Sequence, residues 1–204
     1  MVERLKRKWL KSRLKDSSYS FLFDEPPKDE YVCIDTETTG LDPKKDEIIS
    51  VAAVKIVKNR IEVGSALHMR VSCKKELDAE SIKIHHMRQC DIESHSLKPD
   101  IAMERLLRFI GSRTLVGYYL EFDKKMIEKW TKPTLGIPLP NRLIEVSALY
   151  YDKKIGTIPQ GHVDLRFDTM MQELDIPYLG KHDALNDALM TAMMFLKLNA
   201  TKKL

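Results

Sequence analysis

Four acidic residues and one histidine carry the chemistry this chain can offer. Asp35 and Glu37 stand two apart in the run VCIDTETTG, Asp123 follows a short apolar run, and His182 precedes Asp187 by five positions. Side chains on a strand alternate between faces, so Asp35 and Glu37 point to the same side of whatever sheet they join. Two carboxylates ~4 Å apart repel by about 4 kcal/mol at an effective dielectric near 20. Each further acid adds pairwise repulsion that competes with a domain's ~5–15 kcal/mol of stability. A converged cluster of such acids must hold protons or cations. Oxygen-only ligands with no thiolate select hard ions, Mg²⁺ or Mn²⁺, and phosphate oxygens are natural guests of such a site.

Each residue also has a quieter role open to it. Asp is a preferred helix N-cap, which suits Asp123. Asp183 and Asp187 fit the first turn of a helix by complementing its dipole, with His182 a surface residue ahead of them. On a helical wheel Asp187 lies opposite a Leu185–Leu189–Ala192–Leu196 stripe, on a polar strip with Asp183 and Thr191. Asp35 and Glu37 resist such a reading. The residues before them, Val32, Cys33 and Ile34, belong in a buried strand, and open α/β sheets place their sites at the carboxyl ends of strands.

The elements that must position these groups form an α/β pattern. YVCID (31–35) reads as a first strand. EIISVAAVKIV (47–57) and IEVGSALHMRV (61–71) read as two longer strands joined by a tight turn near 58–60. TLVGYY (114–119) is a fourth strand, and RLIEVSALYY (142–151) begins as a fifth. DAESIKIHHM, the run 102–110, DKKMIEKW, DLRFDTMMQELDI and HDALNDALMTAMMFLKL read as helices. Strands in hairpin order followed by strands alternating with helices imply a mixed five-stranded sheet with helices on both faces.

Ahead of this domain, residues 1–30 read as a basic extension and linker, leaving 31–204 as the domain proper. Residues 1–15 hold seven Lys or Arg against one acid, Glu3. Leu10 and Leu14 fall off the helical face shared by Val2, Leu5 and Trp9, so a solvated tail is favoured over an arm that touches phosphates. The tandem prolines of DEPPKDE (24–30) mark the linker.

The totals fit one well-cored domain: 204 residues, 43% apolar, 31% charged, net charge +4. That charge permits a nucleic-acid partner without requiring one. Cys33, Cys73 and Cys90 are scattered, with no CxxC spacing, which argues against a disulfide framework or zinc site and suits a reducing cytoplasm. The N-terminus lacks the apolar core of a signal peptide and no segment approaches membrane-spanning length, so a cytoplasmic protein with no membrane partner is expected.

Taken together, the motifs resemble the DEDDh (DnaQ-like) 3′–5′ exonucleases, the group that includes the DNA polymerase III epsilon subunit, RNase T and oligoribonuclease. The first motif is Ile34-Asp35-Thr36-Glu37-Thr38-Thr39-Gly40-Leu41. The second is Val116-Gly117-Tyr118-Tyr119-Leu120-Glu121-Phe122-Asp123. The third is His182-Asp183-Ala184-Leu185-Asn186-Asp187-Ala188, and IKIHHM, with His85, is similar to the family's Ile-His-Gly-Ile segment. The likeness spans about residues 31–198.

The resemblance implies an RNase H-like fold, two divalent ions, Mg²⁺ or Mn²⁺, and release of nucleoside 5′-monophosphates from 3′ ends. It makes Asp35, Glu37, Asp123 and Asp187 the metal-site acids and His182 the general base, histidine being the side chain suited to proton abstraction near neutral pH. Thr36, Thr38, Leu41, Tyr118, Tyr119 and Phe122 become substrate-binding positions. Tyr118-Tyr119 departs from the family's frequent His-Asn. The expected substrate is the 3′ end of single-stranded DNA. An exoribonuclease uses the same motifs, and a non-catalytic module gripping nucleic acid or a polymerase is the reading from another class. Many relatives are homodimers. Because the chain ends soon after Leu198, without the long extension by which epsilon-type subunits engage their polymerase, a freestanding enzyme is expected.

Overall fold

The apolar run leading into the paired acids forms β1 (Glu30–Thr38), the middle strand of the sheet. The structure, a computed structural model, describes residues 2–75, 95–157 and 163–200. β2 (Ile48–Val57) pairs antiparallel with β1 along nearly its full length. Lys58 and Asn59, both at positive φ, turn the chain into β3 (Arg60–Ile61). Two consecutive left-handed residues give the tight hairpin turn whose twist matches that of its strands. β4 (Leu67–Arg70) pairs with β2 farther along. β5 (Thr114–Gly117) and β6 (Leu143–Glu145) then add in parallel, giving the order β3-β2-β1-β5-β6 with β4 also on β2.

The sheet thus has six strands where five were expected. The stretch 61–71 is not one strand: Val63–Ser65 forms a 3₁₀ turn that separates β3 from β4. Gly64 and Ser65 favour a turn over a continuous ladder. RLIEVSALYY keeps strand geometry for three residues before turning helical.

The helices are α1 (Val2–Ser12), α2 (Pro99–Ile110), α3 (Leu120–Leu135), α4 (Val146–Thr157), α5 (Phe167–Glu173) and α6 (Ala184–Ala200). The helix expected over DAESIKIHHM, and His85 with it, lies outside the described residues. One face of the sheet packs Val32 and Ile34 against Met103, Leu106 and Leu107 of α2 and Leu120, Met126 and Ile127 of α3. The other packs Cys33, Ile56 and Val116 against Val146 and Tyr150 of α4, Met170 of α5 and Phe195 of α6. Helices therefore cover both faces. Among the described residues no helix is long and apolar enough to cross a membrane.

Two local readings change. On α6 the leucines expected to face the core, Leu185 and Leu189, are only half-buried, while Ala184, Ala188 and Thr191 are buried. Ala184 and Ala188 pack on Ala52 and Val54 of β2. Small side chains on both sides let the helix lie close to the sheet, a packing that a hydrophobic stripe does not announce. The N-terminal arm, in turn, is not a solvated tail. Leu10, Tyr19, Leu22 and Phe23 join the core beneath α2 and α3. Arg7 donates to the carbonyl oxygens of Pro140 (3.2 Å), Leu22 (2.9 Å) and Asp24 (3.0 Å). The face that docks is the one carrying Leu10, with Leu14 packed against it, and Leu5 and Trp9 are left exposed.

Candidate active site

β1 extends well past the end of its ladder with β5, which stops at Cys33 paired with Val116. The carboxyl half of β1 is therefore open on that side, and the acids gather there. Asp35 and Glu37 project from the face opposite Ile34. Their partners across the β1–β2 ladder are Ala52 and Ser50, both small. The close seating of α6 over Ala52 brings in Asp187, and carboxylate oxygens of Asp35, Glu37 and Asp187 lie within 4.8 Å of one another.

Asp123 arrives from the first turn of α3. Its Oδ1 accepts from the Thr36 backbone N–H (2.9 Å) and from the Thr36 hydroxyl (2.6 Å). The acid thereby occupies the edge of β1 that β5 has vacated. It does not serve as the N-cap of α3; that place belongs to Tyr119, and the Leu120 N–H donates to Glu145 (2.9 Å). Gly117 is required just before, since a Cβ there would stand 2.8 Å from the Leu120 side chain.

The electrostatics match the crowding. Burial pushes the Asp35 carboxyl well above the usual carboxylate range, helped by the charges of Asp123, Glu37 and Asp187. Burial also raises Asp123 to about 7, against the opposing pull of the two Thr36 hydrogen bonds and with a further push from Glu37. Asp187 rises to about 7 for the same first reason, opposed by the His182 N–H and assisted by Glu37. Groups that resist ionisation together are relieved by a cation among them.

Asp187 supplies an independent sign. Its Oδ2 accepts from the His182 N–H (3.0 Å), while its Oδ1 is buried with no hydrogen-bond partner among the described residues. A buried carboxylate oxygen left unsatisfied is costly. An all-oxygen donor set with one such orphan fits a divalent metal ion, and Asp35, Glu37 and Asp187 are the residues whose oxygens stand close enough together to share one.

His182 is exposed, at φ 64°, on the turn just ahead of α6. Asp183 caps that helix: its Oδ1 accepts from the N–H groups of Leu185 (3.1 Å) and Asn186 (3.0 Å). A non-glycine residue held left-handed costs roughly 1–3 kcal/mol and persists only where its surroundings fix it. Tyr119, at φ 54°, is a second such residue beside the acids.

The substrate-binding expectations divide. Leu41 is 86% exposed and Tyr119 is 69% exposed, both open to a ligand. Tyr118 is tied back, donating its hydroxyl to the Leu165 carbonyl oxygen (3.0 Å) and packing edge-on against Phe167. Phe122 packs against the core. Thr36 and Thr38 are buried; Thr36 supports Asp123, and the Thr38 hydroxyl donates to the Gly40 carbonyl oxygen (2.7 Å).

Asp46 escaped sequence reasoning. It is buried, accepting from the Asp42 N–H (2.8 Å), the Thr39 hydroxyl (3.2 Å) and Lys75 Nζ (2.5 Å). It thereby fixes the loop that presents Leu41. Gly40 is the signal that marks the arrangement, because a Cβ there would stand 2.5 Å from the Asp46 carboxylate.

Comparison with known proteins agrees with this geometry. The RNase T exonuclease family model matches residues 32–195. The chain is 27% identical over 187 residues to a PolC-type DNA polymerase III from Thermotoga petrophila, covering 90% of this chain and 13% of that protein. It thus spans a small fraction of such polymerases. It is 28% identical over 169 residues to the DNA polymerase III epsilon subunit of Aquifex aeolicus, covering 82% of this chain and 79% of that one. Among solved structures, E. coli Exonuclease I in complex with a dA16 oligonucleotide aligns with a TM-score of 0.70 at 15% identity, covering 86% of this chain and 42% of that one. Exonuclease X in complex with 5′ overhanging duplex DNA aligns at 0.63 and 18%, covering 85% and 93%. These likenesses establish the RNase H-like fold. With the family model spanning all three acidic motifs, the chain belongs to the RNase T family of DnaQ-like 3′–5′ exonucleases.

Proposed function

We propose that the chain hydrolyses the terminal phosphodiester at the 3′ end of single-stranded DNA and releases nucleoside 5′-monophosphates. The observation that carries this reading is the meeting of Asp35, Glu37 and Asp187 oxygens within 4.8 Å, with Asp123 locked to Thr36 beside them. These acids would hold two divalent ions, Mg²⁺ or Mn²⁺. When bound, the ions supply the positive charge that stabilises the attacking and departing oxygens of an in-line displacement.

The protein's own groups do the rest. Asp123 is oriented by two donors from Thr36, and Asp187 by the His182 N–H, so the oxygens are fixed before substrate arrives. The His182 imidazole, on an exposed strained turn, takes the proton of the attacking water and passes it to solvent. Tyr119 offers a ring face to the terminal base and Leu41 an apolar contact, both tolerant of base identity. The DNA preference is supported by the DNA polymerase III relatives and by the oligonucleotide held in E. coli Exonuclease I.

The test compares mononucleotide release from matched DNA and RNA oligomers with Mn²⁺, alongside Asp35→Ala and Asp187→Ala. The reading expects faster release from DNA, 5′-monophosphate products and no turnover in either variant, each still folded by circular dichroism. Unchanged rates in both variants would remove the catalytic assignment, and faster release from RNA would replace the substrate.

A further inference from the structure

We propose that the groove between α1 and α3 is a second nucleic-acid contact, gripping the backbone of the strand upstream of its 3′ end. The inference rests on the nuclease reading for the identity of its ligand and on separate residues for its geometry.

From Leu5 to Lys15 the chain carries six cations and no acid. Such a run is ordinarily a flexible solvated segment. Here it is a helix and turn pinned to the body by Leu10 and by the three carbonyl bonds of Arg7, while Lys6, Lys8, Lys11, Arg13 and Lys15 stay exposed. Positive charge on a fixed element loses less freedom on binding than the same charge on a tail.

The groove beneath has a volume of about 490 Å³. Its walls include Lys6 and Arg7 from α1, Lys124 from α3, Arg142 ahead of β6, and the apolar Leu139 and Leu143. Glu121 is the acid on the rim, 4.0 Å from Lys124, which also lies 3.7 Å from Glu128. Four cations against these two acids leave the groove net positive.

Trp9 adds a second kind of contact. It is 53% exposed, with the Arg13 guanidinium 4.3 Å from its ring centroid, and Leu5 beside it is exposed as well. The buried side of α1 is served by Leu10, so packing does not account for a tryptophan turned outward. Trp9 stands outside the groove's walls but on the same helix, and a cationic groove with an exposed ring on its flanking helix suits a single strand, phosphates meeting the charges and a base stacking on the ring.

Placement ties the groove to the acids. Glu121 and Lys124 bracket Asp123 in the first turns of α3, so the groove lies across that helix from the acid cluster. A helix with its side chains is ~10–12 Å across. A strand with its 3′ end at the acids can pass around α3 and reach the groove, whereas a dinucleotide seated at the acids is too short to reach it.

The test measures binding of single-stranded DNA longer than ~16 nucleotides to the full chain in EDTA, by fluorescence anisotropy across a salt series. It adds dinucleotide hydrolysis with Mn²⁺. The variants are the triple neutralisation of groove-wall cations Lys6→Gln, Lys124→Gln, Arg142→Gln and the single Trp9→Ala, which leave Arg7 and Leu10 in place. Losing three phosphate contacts should flatten the slope of log K against log salt by about 2. Trp9→Ala should weaken the long strand by about 10-fold. Dinucleotide kcat/KM should not change. An unaltered slope in the triple variant overturns the proposal, as does an equal loss on dinucleotide and long strand, or a loss seen with anionic vesicles and not with DNA. Absence of dinucleotide hydrolysis by the unmodified chain counts against the nuclease reading alone, since the salt slope is measured without turnover.

Discussion

Stripping divalent metal should make the protein lose stability as pH rises, and Asp123 sets the size of the effect. Its carboxyl is raised from 3.8 to about 7, mainly by burial, and the residue is only 4% exposed. At 1.36 kcal/mol per pH unit, that difference is worth roughly 4 kcal/mol. The sign follows from proton binding. Between about pH 4 and 7 the folded carboxyl holds a proton that the unfolded one has released, so the contribution is full below pH 4 and is lost as pH climbs through 7. For a domain of this size, 1 kcal/mol moves Tm by ~2–4 °C, which puts the Asp123 share near ~8–16 °C. Asp187 acts in the same direction, at a discount for its partial exposure. The assay is a series of thermal melts from pH 4 to 8 in EDTA, comparing the natural chain with Asp123→Asn. Asparagine keeps an acceptor for Thr36 but cannot titrate, so its curve should be flatter by that amount. Mn²⁺ at about 100 times its Kd should restore ~2.7 kcal/mol at pH 8 and do little at pH 4, where the acids are already protonated. Parallel curves for the two proteins in EDTA would refute the reasoning.

Other outcomes follow from the same geometry. His182→Ala should lower kcat by ~10²–10⁴-fold with the melt unchanged, read by mononucleotide release; an unaffected rate removes the imidazole from proton transfer. Thr36→Val deletes the hydroxyl that donates to Asp123 and should weaken Mn²⁺ binding by about 10-fold, a charge-assisted bond being worth ~1.5–3 kcal/mol. Thr36→Ser should restore it, and calorimetric titration distinguishes the two. Tyr119→Gly relieves a left-handed tyrosine and should stabilise the fold by about 1 kcal/mol while raising KM; a lower Tm or an unchanged KM would deny the ring its role at the substrate.

The paired acids of β1 and the spacing from His182 to Asp187 were legible because each motif sits at the end of a strongly patterned element. The structure brings Asp35, Glu37 and Asp187 together. Other features depend on contacts far apart in sequence. Asp123 reads as either a helix cap or, by its motif, a metal-site acid, and its bond to Thr36, 87 positions away, adds a support for the edge of β1 that neither reading contains. The seating of α6 turns on alanines, which carry little hydrophobic signal beside the leucines of the same helix, so the leucine stripe marks only one edge of the buried face. In the N-terminal arm the misfit leucine was the informative one: Leu10 docks, and the tidier face bearing Trp9 looks outward. The break within 61–71 was visible as Gly64-Ser65 and was outvoted by the β-branched and apolar residues around it.

The alanine contact between α6 and β2 also bears on timing. The acids at 35, 37 and 123 are available early in synthesis, but the fourth comes only when the helix bearing Asp187 settles onto Ala52 and Val54. Under the proposed function, a partly made chain would carry an incomplete ligand set and would not cut the nucleic acid it meets while folding. The acid cluster is completed by the same event that seals this side of the sheet.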